Sequence, residues 1–426
     1  MRKFVMIWIG ELISNIGSGM TAFALSIYVY QMTGSVSYVS LVTLLAYLPT
    51  ILLSPVGGVL ADRYDRRLLM ILGDLCSGMG LLLILSSIQM GNKSIVPILV
   101  GVTVNAVFVA LLEPAYKATV TDLLTKEDYA KASGMVQIAG NARYLISPAL
   151  AGVLLSFADI RLILVLDIAS FLVTVAAVAA VRKTLRKGKA VKESEGIGKE
   201  LKEGFSMILS NGGLLALVAI MALLCFFLGF LQTLVVPMVL AVSDAGTVGN
   251  MESVCAVGML VSSLLIGIIG IKRKHAGILF ITSVLAGTSM MFSGISTNLY
   301  ITGCAIFAFF FFIPYINTCA DVLLRIQVPN EVQGRVWGIV GLLTQAGTVL
   351  AYAVCGVIAD YVFEPMFAEG GILAGNVGRI IGTGKGRGIG LLLILSGIGM
   401  IIAACTAGRN KKLRAIQLER RQASVS

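Results

Sequence analysis

Charged residues are scarce in this chain. Asp, Glu, Lys and Arg make up 13% of its 426 residues, about half of the quarter expected in a soluble domain. Histidine is rarer still, since His275 is the only one and lies in the charged turn KRKH with no clustered acid beside it. We therefore expect neither a metal site at this histidine nor a histidine-based catalytic triad. The seven cysteines form no Cys-x-x-Cys pair and all fall within apolar runs. We therefore expect neither disulfides nor metal ligands among them.

Long apolar runs are abundant. Hydrophobic residues make up 57% of the chain and the mean hydropathy is +0.93. A helix needs about 20 apolar residues to cross roughly 30 Å of hydrocarbon, and such runs recur along the chain. The sequence predicts an all-α integral membrane protein with twelve transmembrane helices. The runs lie near residues 4–30, 37–61, 68–90, 95–117, 132–156, 160–181, 213–242, 250–271, 276–296, 299–323, 336–362 and 387–408.

The distribution of Lys and Arg predicts the orientation of these helices. With a cytoplasmic N-terminus, the cytoplasmic segments hold 27 of the 33 cations, as the positive-inside rule requires. The outer loops hold five, and Arg143 lies within a helix. The net charge of +11 does not indicate nucleic acid, because the cations follow the topology and form no single basic face. They fit contact with anionic lipid headgroups. We expect both termini to be cytoplasmic.

The chain is doubled. A charged segment over 182–204 separates six apolar runs from six more. We predict an N-terminal six-helix bundle over 1–181, a linker over 182–212, a C-terminal bundle over 213–408 and a basic tail over 409–426. Shifting the second half back by 204 residues pairs equivalent turns before helices 5 and 11, and the second of these turns is marked by Glu331, Gly334 and Arg335. Parallel repeats of this kind build one large class of transporter folds.

The segment GGVLADRYDRRLLM, residues 57–70, joins two apolar runs by a short charged turn. Its spacing is Gly58, Asp62-Arg63, then Arg66-Arg67. This segment resembles the loop between helices 2 and 3 of the major facilitator superfamily, G-x-x-x-D-R/K-x-G-R/K-R/K, with Asp65 in place of the second glycine. The ADRYDRR form is similar to that of the drug-efflux branch, which includes the macrolide exporters. By this resemblance we expect Asp62 to act as a conformational latch at the start of helix 11.

The segment GNARYLISPALAG, residues 140–152, resembles the antiporter motif of the same superfamily, G-P-x-x-G-G in helix 5. Ser147-Pro148 stands where Gly-Pro is expected, and Ala151-Gly152 where Gly-Gly is expected. All the replacements are small, which predicts close helix approach and a bend at Pro148. Drug:proton antiporters often carry an arginine in helix 4, where this chain has none.

Five charged residues within the predicted helices are candidates for coupling or substrate binding, because a charge in the bilayer is costly unless it is paired or hydrated. Glu11, Asp74 and Glu113 lie near the cytoplasmic ends, where capping or pairing with loop cations is the alternative. Arg143 and Asp167 lie at similar depth on consecutive helices. They form either a structural ion pair or part of the coupling or substrate site.

Two further stretches each have a structural and a functional interpretation. The string GTGKGRG at 382–388 is superficially like a phosphate-binding loop, but it precedes helix 12 without the strand or the Lys-Ser that such loops need, so we expect no nucleotide. The aromatic run of helix 10, Phe307, Phe309–Phe312 and Tyr315, lines either a substrate cavity or the lipid face. We expect no cofactor and no metal.

The resemblance implies a secondary active transporter in a bacterial cytoplasmic membrane. On this hypothesis it exports lipophilic or amphipathic small molecules by proton antiport with alternating access, as a monomer. We expect no ATPase domain, so uphill transport would use an ion gradient. The alternatives are export of an endogenous metabolite such as a siderophore or lipid, and a non-transporting receptor or scaffold on the same fold. The sequence offers no catalytic cluster for an enzyme.

Overall fold

The computed structural model describes residues 2–124, 129–182, 205–271, 274–328, 333–368 and 371–409. Across these ranges the ordered elements are helices, and twelve of them are long and apolar enough to cross a membrane. The all-α membrane architecture with twelve transmembrane helices is therefore confirmed.

The first six helices are α1 (Arg2–Thr33), α2 (Val36–Arg63), α3 (Arg66–Gln89), α4 (Val96–Leu123), α5 (Tyr129–Leu145 and Ser147–Phe157) and α6 (Ile160–Arg182). The next four are α7 (Gly212–Leu240), α8 (Ala245–Ile269), α9 (His275–Ile295) and α10 (Leu299–Gln327). The eleventh, α11, runs over Gln333–Ile358, passes through a π-helical turn at Ala359–Phe363 and ends with Glu364–Phe367; α12 is Arg387–Arg409.

Two helix ends differ from the sequence prediction. α8 begins at Ala245 and not near residue 250, because Asp244 accepts a hydrogen bond from the backbone N–H of Thr247 at 2.8 Å and so caps the helix. This hydrogen bond holds the pKa of Asp244 below its usual range. α11 continues through its π-helical turn to Phe367 and not to 362, and the N–H of Glu364 bonds the carbonyl of Ala359 across that turn.

The helices form two compact units. The first holds α1–α6 together with Ser243–Ser253, the start of α8. The second holds α7, the remainder of α8 and α9–α12. All seven cysteines are free thiols.

The first unit has an apolar core at the end where α1 begins. Its members come from α1, α2, α3, α4 and α6: Ile7, Ala61, Met70, Leu112, Ala115, Tyr116, Val178 and Val181. One helical turn along α1 and α3 from this core, the buried side chains become polar.

Candidate functional site

A line of polar side chains runs through the interior of the first unit, on the facing surfaces of α1, α3 and α6. Its members recur at spacings of three or four residues, so they share one face of each helix. Most are buried, and Asp74 and Asp167 are only 2% and 1% exposed. We call this set the polar seam: Glu11, Ser14, Ser18 and Thr21 on α1, Asp74 and Ser77 on α3, and Asp167, Ser170 and Thr174 on α6.

Glycines on α1 bring α6 close enough for the seam to form. A Cβ at Gly10 would lie 3.2 Å from the Cα of Thr174, and a Cβ at Gly17 would lie 2.8 Å from Oδ1 of Asp167. The Thr174 hydroxyl donates to the carbonyl of Gly10 at 3.1 Å. Small residues permit such backbone approach between membrane helices, and hydroxyls add hydrogen bonds across it.

Asp167 is held by hydroxyl groups. Its Oδ1 accepts from Ser18 at 3.2 Å. The Ser170 hydroxyl lies 3.4 Å from the same oxygen while it donates to the Asp167 backbone carbonyl at 2.6 Å. Arg143 acts on this carboxyl electrostatically, but the two form no salt bridge within 4 Å among the ion pairs of the described residues. The structural ion pair that was one alternative from the sequence is therefore not formed in this structure. Asp167 contacts hydroxyl groups and has no Lys or Arg within 4 Å among the described ion pairs.

The predicted bend of α5 lies against α1. α5 is interrupted at Ile146, because Pro148 occupies the first turn of the second segment. The fully buried Ser147 donates its hydroxyl hydrogen to the carbonyl of Ile16 on α1 at 2.9 Å. A Cβ at Gly19 would lie 2.6 Å from the carbonyl oxygen of Arg143, so α1 and the break in α5 are in close contact.

The remaining residues of the antiporter-like segment also pack closely. Ala151 and Gly152 are buried, and a Cβ at Gly152 would lie 3.1 Å from the carbonyl oxygen of Ala245. A Cβ at Gly249 would collide with the carbonyl oxygen of Pro148. Within the first unit, the small residues of α5 thus allow the start of α8 to approach the backbone of α5.

The contact between α1 and α5 gives a direct test of this packing. Gly19→Ala should lower the yield of folded protein, because the added methyl group meets the Arg143 carbonyl and the Ser147 side chain, and overpacking of this kind costs about 1–3 kcal/mol. The measurement is the monodisperse fraction of purified protein after graded heating.

The matched control is Gly140→Ala on α5, where a Cβ meets nothing within 4 Å among the described residues. Equal heat resistance of the two variants would contradict the close contact between α1 and α5.

The three other candidate acids differ in their surroundings. Asp74 is buried, and its Oδ2 has no hydrogen-bond partner in the described part of the chain; the charges of Glu11 and Asp167 both act on it. Glu11 accepts from the side-chain amide of Asn15 at 3.2 Å. Glu113 is exposed and paired with Lys117 at 2.6 Å on the same helix, which corresponds to the pairing alternative drawn from the sequence.

The charged turn between α2 and α3 is only partly described. Asp65, which replaces the family glycine, caps α3 by accepting from the backbone N–H of Arg67 at 3.1 Å. Arg66 donates to the carbonyl of Ala61 at 3.1 Å. Arg67 is buried and Arg63 is exposed.

The glycine that packs tightly at the end of α2 is Gly57. A Cβ there would lie 2.6 Å from the carbonyl oxygen of Ala110 on α4, whereas a Cβ at Gly58 would meet none of the described atoms within 4 Å. The side chain of Asp62 lies outside the described residues, as do Glu331 and the surroundings of Gly334 and Arg335. The latch and the second-half turn therefore stay predictions.

Sequence reasoning missed two acids. Glu252 lies two turns inside α8, but the predicted start of that helix placed it at the edge. Glu364 lies in the last turn of α11, although the predicted end of that helix at 362 assigned it to a loop. Its Oε1 accepts from the backbone N–H of Ile389 at 3.0 Å and its Oε2 from that of Gly386 at 3.2 Å. The available signal was an acid two residues after the predicted end of helix 11 at 362.

The glycine string before α12 is shaped by this cap. Gly382, Gly384 and Gly386 all have positive φ, between 84° and 100°, a region that favours glycine. Because the first N–H groups of α12 already bind the Glu364 carboxylate, the position where a phosphate would bind in a phosphate-binding loop is taken by the protein's own acid. Buried Arg387 donates to the carbonyls of Ser296 and Ile381, both at 3.2 Å.

In the second unit, the aromatic run of α10 divides between two environments. Phe309 is fully buried, and Phe307 packs against Gly258 of α8, where a Cβ would lie 3.0 Å from its ring. Phe311 and Tyr315 are half-buried with ring centroids 6.1 Å apart. A separate polar contact joins α7 and α11, since the Tyr352 hydroxyl donates to Oε1 of Gln232 at 2.8 Å. Across the described residues, no three His, Cys, Asp or Glu side chains group closely enough to hold a metal.

Comparison with known proteins settles the family. The chain matches the model of the Major Facilitator Superfamily over residues 7–352. It belongs to the Major Facilitator Superfamily. It is similar to macrolide efflux protein A of Streptococcus pyogenes, with 26% identity over 366 residues that cover 84% of this chain and 89% of that protein.

Solved structures of this superfamily's architecture share the fold. A bacterial homologue of the human lysosomal transporter Spinster superposes with a TM-score of 0.70 at 14% identity over 98% of each chain. A peptide transporter of the POT family superposes with a TM-score of 0.73 at 11% identity over 96% of each chain. The protein is therefore a transporter and not an enzyme, a multi-pass bacterial membrane protein with efflux proteins among its relatives.

Proposed function

We propose that this transporter exports lipophilic or amphipathic small molecules in exchange for protons. The observation that carries the proposal is the polar seam, in which two buried acids, Asp74 and Asp167, have no Lys or Arg within 4 Å among the described ion pairs. An unpaired carboxylate inside a membrane is costly, and binding of a proton removes the charge and lowers that cost. A group of this kind is suited to gain a proton in one conformation and release it in another.

The direction and the substrate class rest on relatives and on packing. The relatives named for efflux of macrolides support export of bulky lipophilic molecules. The antiporter-like segment supports exchange, because Ser147 ties the break in α5 to the α1 backbone two residues from Ser18, which holds Asp167. A change in the charge of Asp167 can thus reach the bend in α5 through one short stretch of α1. Export of an endogenous metabolite, such as a siderophore or lipid, uses the same machinery and is the second candidate.

The deciding experiment is uptake of a labelled macrolide or lipophilic dye into inverted membrane vesicles. With the interior acidified by respiration, we expect accumulation that a protonophore abolishes. A panel of siderophores and lipids in the same vesicles distinguishes the second candidate. Accumulation that persists when the proton gradient is collapsed would refute proton antiport.

Orientation belongs to the same proposal, with both termini and the 182–204 linker in the cytoplasm. In a variant without cysteines, Ala190→Cys should react with an impermeant maleimide only after the cells are permeabilised, since 27 of 33 cations lie on the cytoplasmic side in this topology. Labelling of this position in intact cells would contradict this topology.

A further inference from the structure

Two buried polar atoms, one on α3 and one on α4, have no hydrogen-bond partner in the described part of the chain. They are Oδ2 of Asp74 and the hydroxyl of Tyr116. Their residues are 2% and 4% exposed. A buried polar atom without a partner costs about 1–3 kcal/mol, and in native proteins such atoms are satisfied by protein groups or ordered water.

Asp74 belongs to the polar seam, and Tyr116 lies beside the seam on α4. Tyr116 belongs to the apolar core at the end where α1 begins, and the charge of Glu11 acts on its hydroxyl. Asp74 follows one turn along α3 from Met70 of the same core, and the charges of Glu11 and Asp167 act on it.

The neighbouring hydroxyls are committed elsewhere. Ser77 donates to the backbone carbonyl of Asp74 at 2.9 Å, and Thr174 donates to that of Gly10 at 3.1 Å. Ser170 donates to the carbonyl of Asp167 at 2.6 Å. Because these donors bond backbone oxygens, they leave the Asp74 carboxyl and the Tyr116 hydroxyl to another partner.

We propose that the polar seam binds internal water, and that this water connects Tyr116, Glu11 and Asp74 to Asp167 as a proton path inside the first six-helix unit. Buried water occurs about once per 27 residues and makes about three hydrogen bonds to groups that protein atoms leave unsatisfied. The proposal rests on the proposed proton antiport and adds the route: protons reach Asp167 through the interior of one unit. Tyr116 acts on this path as a positioning residue for water.

In the described part of the chain, Glu113 and Arg143 are further charged groups that act on the seam. On α4, Glu113 is paired with Lys117. On α5, Arg143 acts on Asp167 from beyond 4 Å. These groups bias the occupancy of the path by protons, but neither supplies the missing hydrogen bonds of Asp74 and Tyr116.

The test is infrared spectroscopy of the purified full-length protein in detergent, with pH-induced difference spectra in normal and oxygen-18 water. We expect O–H bands of internal water that shift in oxygen-18 water. They should be altered in Asp74→Asn and in Tyr116→Phe. They should be unchanged in Tyr352→Phe, which removes an equally buried hydroxyl whose partner is Gln232.

A pH jump followed by time-resolved infrared tests the path itself. Protonation of the buried carboxyls should be several-fold slower in Tyr116→Phe than in the unmodified protein and in Tyr352→Phe. Tyr116→Phe removes one oxygen atom and keeps the ring, so folding is preserved and the variant stays informative when Asp74→Asn does not fold.

Identical water bands in Tyr116→Phe and the unmodified protein, or identical protonation rates, would overturn the proposal. This readout needs neither substrate nor gradient. A negative infrared result therefore overturns the hydrated path even when vesicle uptake is normal, and a failure of proton-driven uptake overturns the proposed function even when the water bands are present.

Discussion

Asp167→Asn is expected to abolish proton-driven accumulation of substrate in inverted vesicles while leaving substrate exchange in place. The amide keeps the size of the carboxyl and can still accept the hydrogen bond from Ser18, so the contact between α1 and α6 is preserved. It cannot take up or release a proton. Loss of uphill transport with retained exchange is the signature of a coupling residue, since exchange down a substrate gradient needs no net proton movement.

The matched control is Asp159→Asn, just before the same helix. Asp159 is exposed and forms a surface pair with Arg161 at 3.2 Å, and pairs of this kind contribute about 0–1 kcal/mol. Its transport should equal that of the unmodified protein.

A double variant that also removes Arg143 shows how the loss of uphill transport is to be interpreted. Arg143→Ala combined with Asp167→Asn should fold and bind substrate yet fail to accumulate it, because Asp167 is held by Ser18 and not by Arg143. Uphill transport at the normal rate by the double variant would remove both residues from the mechanism. Glu11 and Asp74 would then be the remaining seam acids.

The twelve helices could be predicted from the sequence because the bilayer dictates them. Each span needs about 20 apolar residues, and the bilayer core leaves almost no other backbone conformation available. Helix ends are set by local hydrogen bonds that hydropathy does not register. Asp244 caps α8, which begins at Ala245, five residues before its predicted start, and this shift places Glu252 inside the helix.

The residues of the candidate site also differ in how far the sequence predicts them. Asp74 and Asp167 stand out in the sequence because a charge within an apolar run is rare. Ser18, Ser170 and Gly17, which hold and surround Asp167, carry no such signal, since serine and glycine are frequent in membrane helices. Which of them face one another depends on helix packing. Tyr116 likewise looks like an ordinary core aromatic until its hydroxyl is found buried without a partner.

Glu364→Ala is expected to produce the largest loss of stability among substitutions in the second unit. The carboxylate accepts from Gly386 and Ile389 at the start of α12, and hydrogen bonds to a charged group each contribute about 1.5–3 kcal/mol. The alanine variant leaves two backbone N–H groups without an acceptor. It also removes the negative charge that acts on buried Arg387. We expect a marked fall in the temperature at which purified protein loses its monodisperse peak.

The heat resistance of Glu364→Gln should lie between that of the unmodified protein and that of Glu364→Ala. The amide oxygen can still accept one of the two hydrogen bonds, but the charge is lost. Asp321→Ala is the control within the same unit. Its carboxylate pairs with Arg325 at 3.1 Å on the same helix face, but both side chains are about half exposed, and Arg325 keeps its contact over the Trp337 ring at 5.3 Å. Such a pair contributes at most about 1 kcal/mol. If Glu364→Ala resists heat as well as Asp321→Ala, the carboxylate does not hold α12 against the end of α11, and the positive-φ glycines before Arg387 alone direct the chain into the last helix.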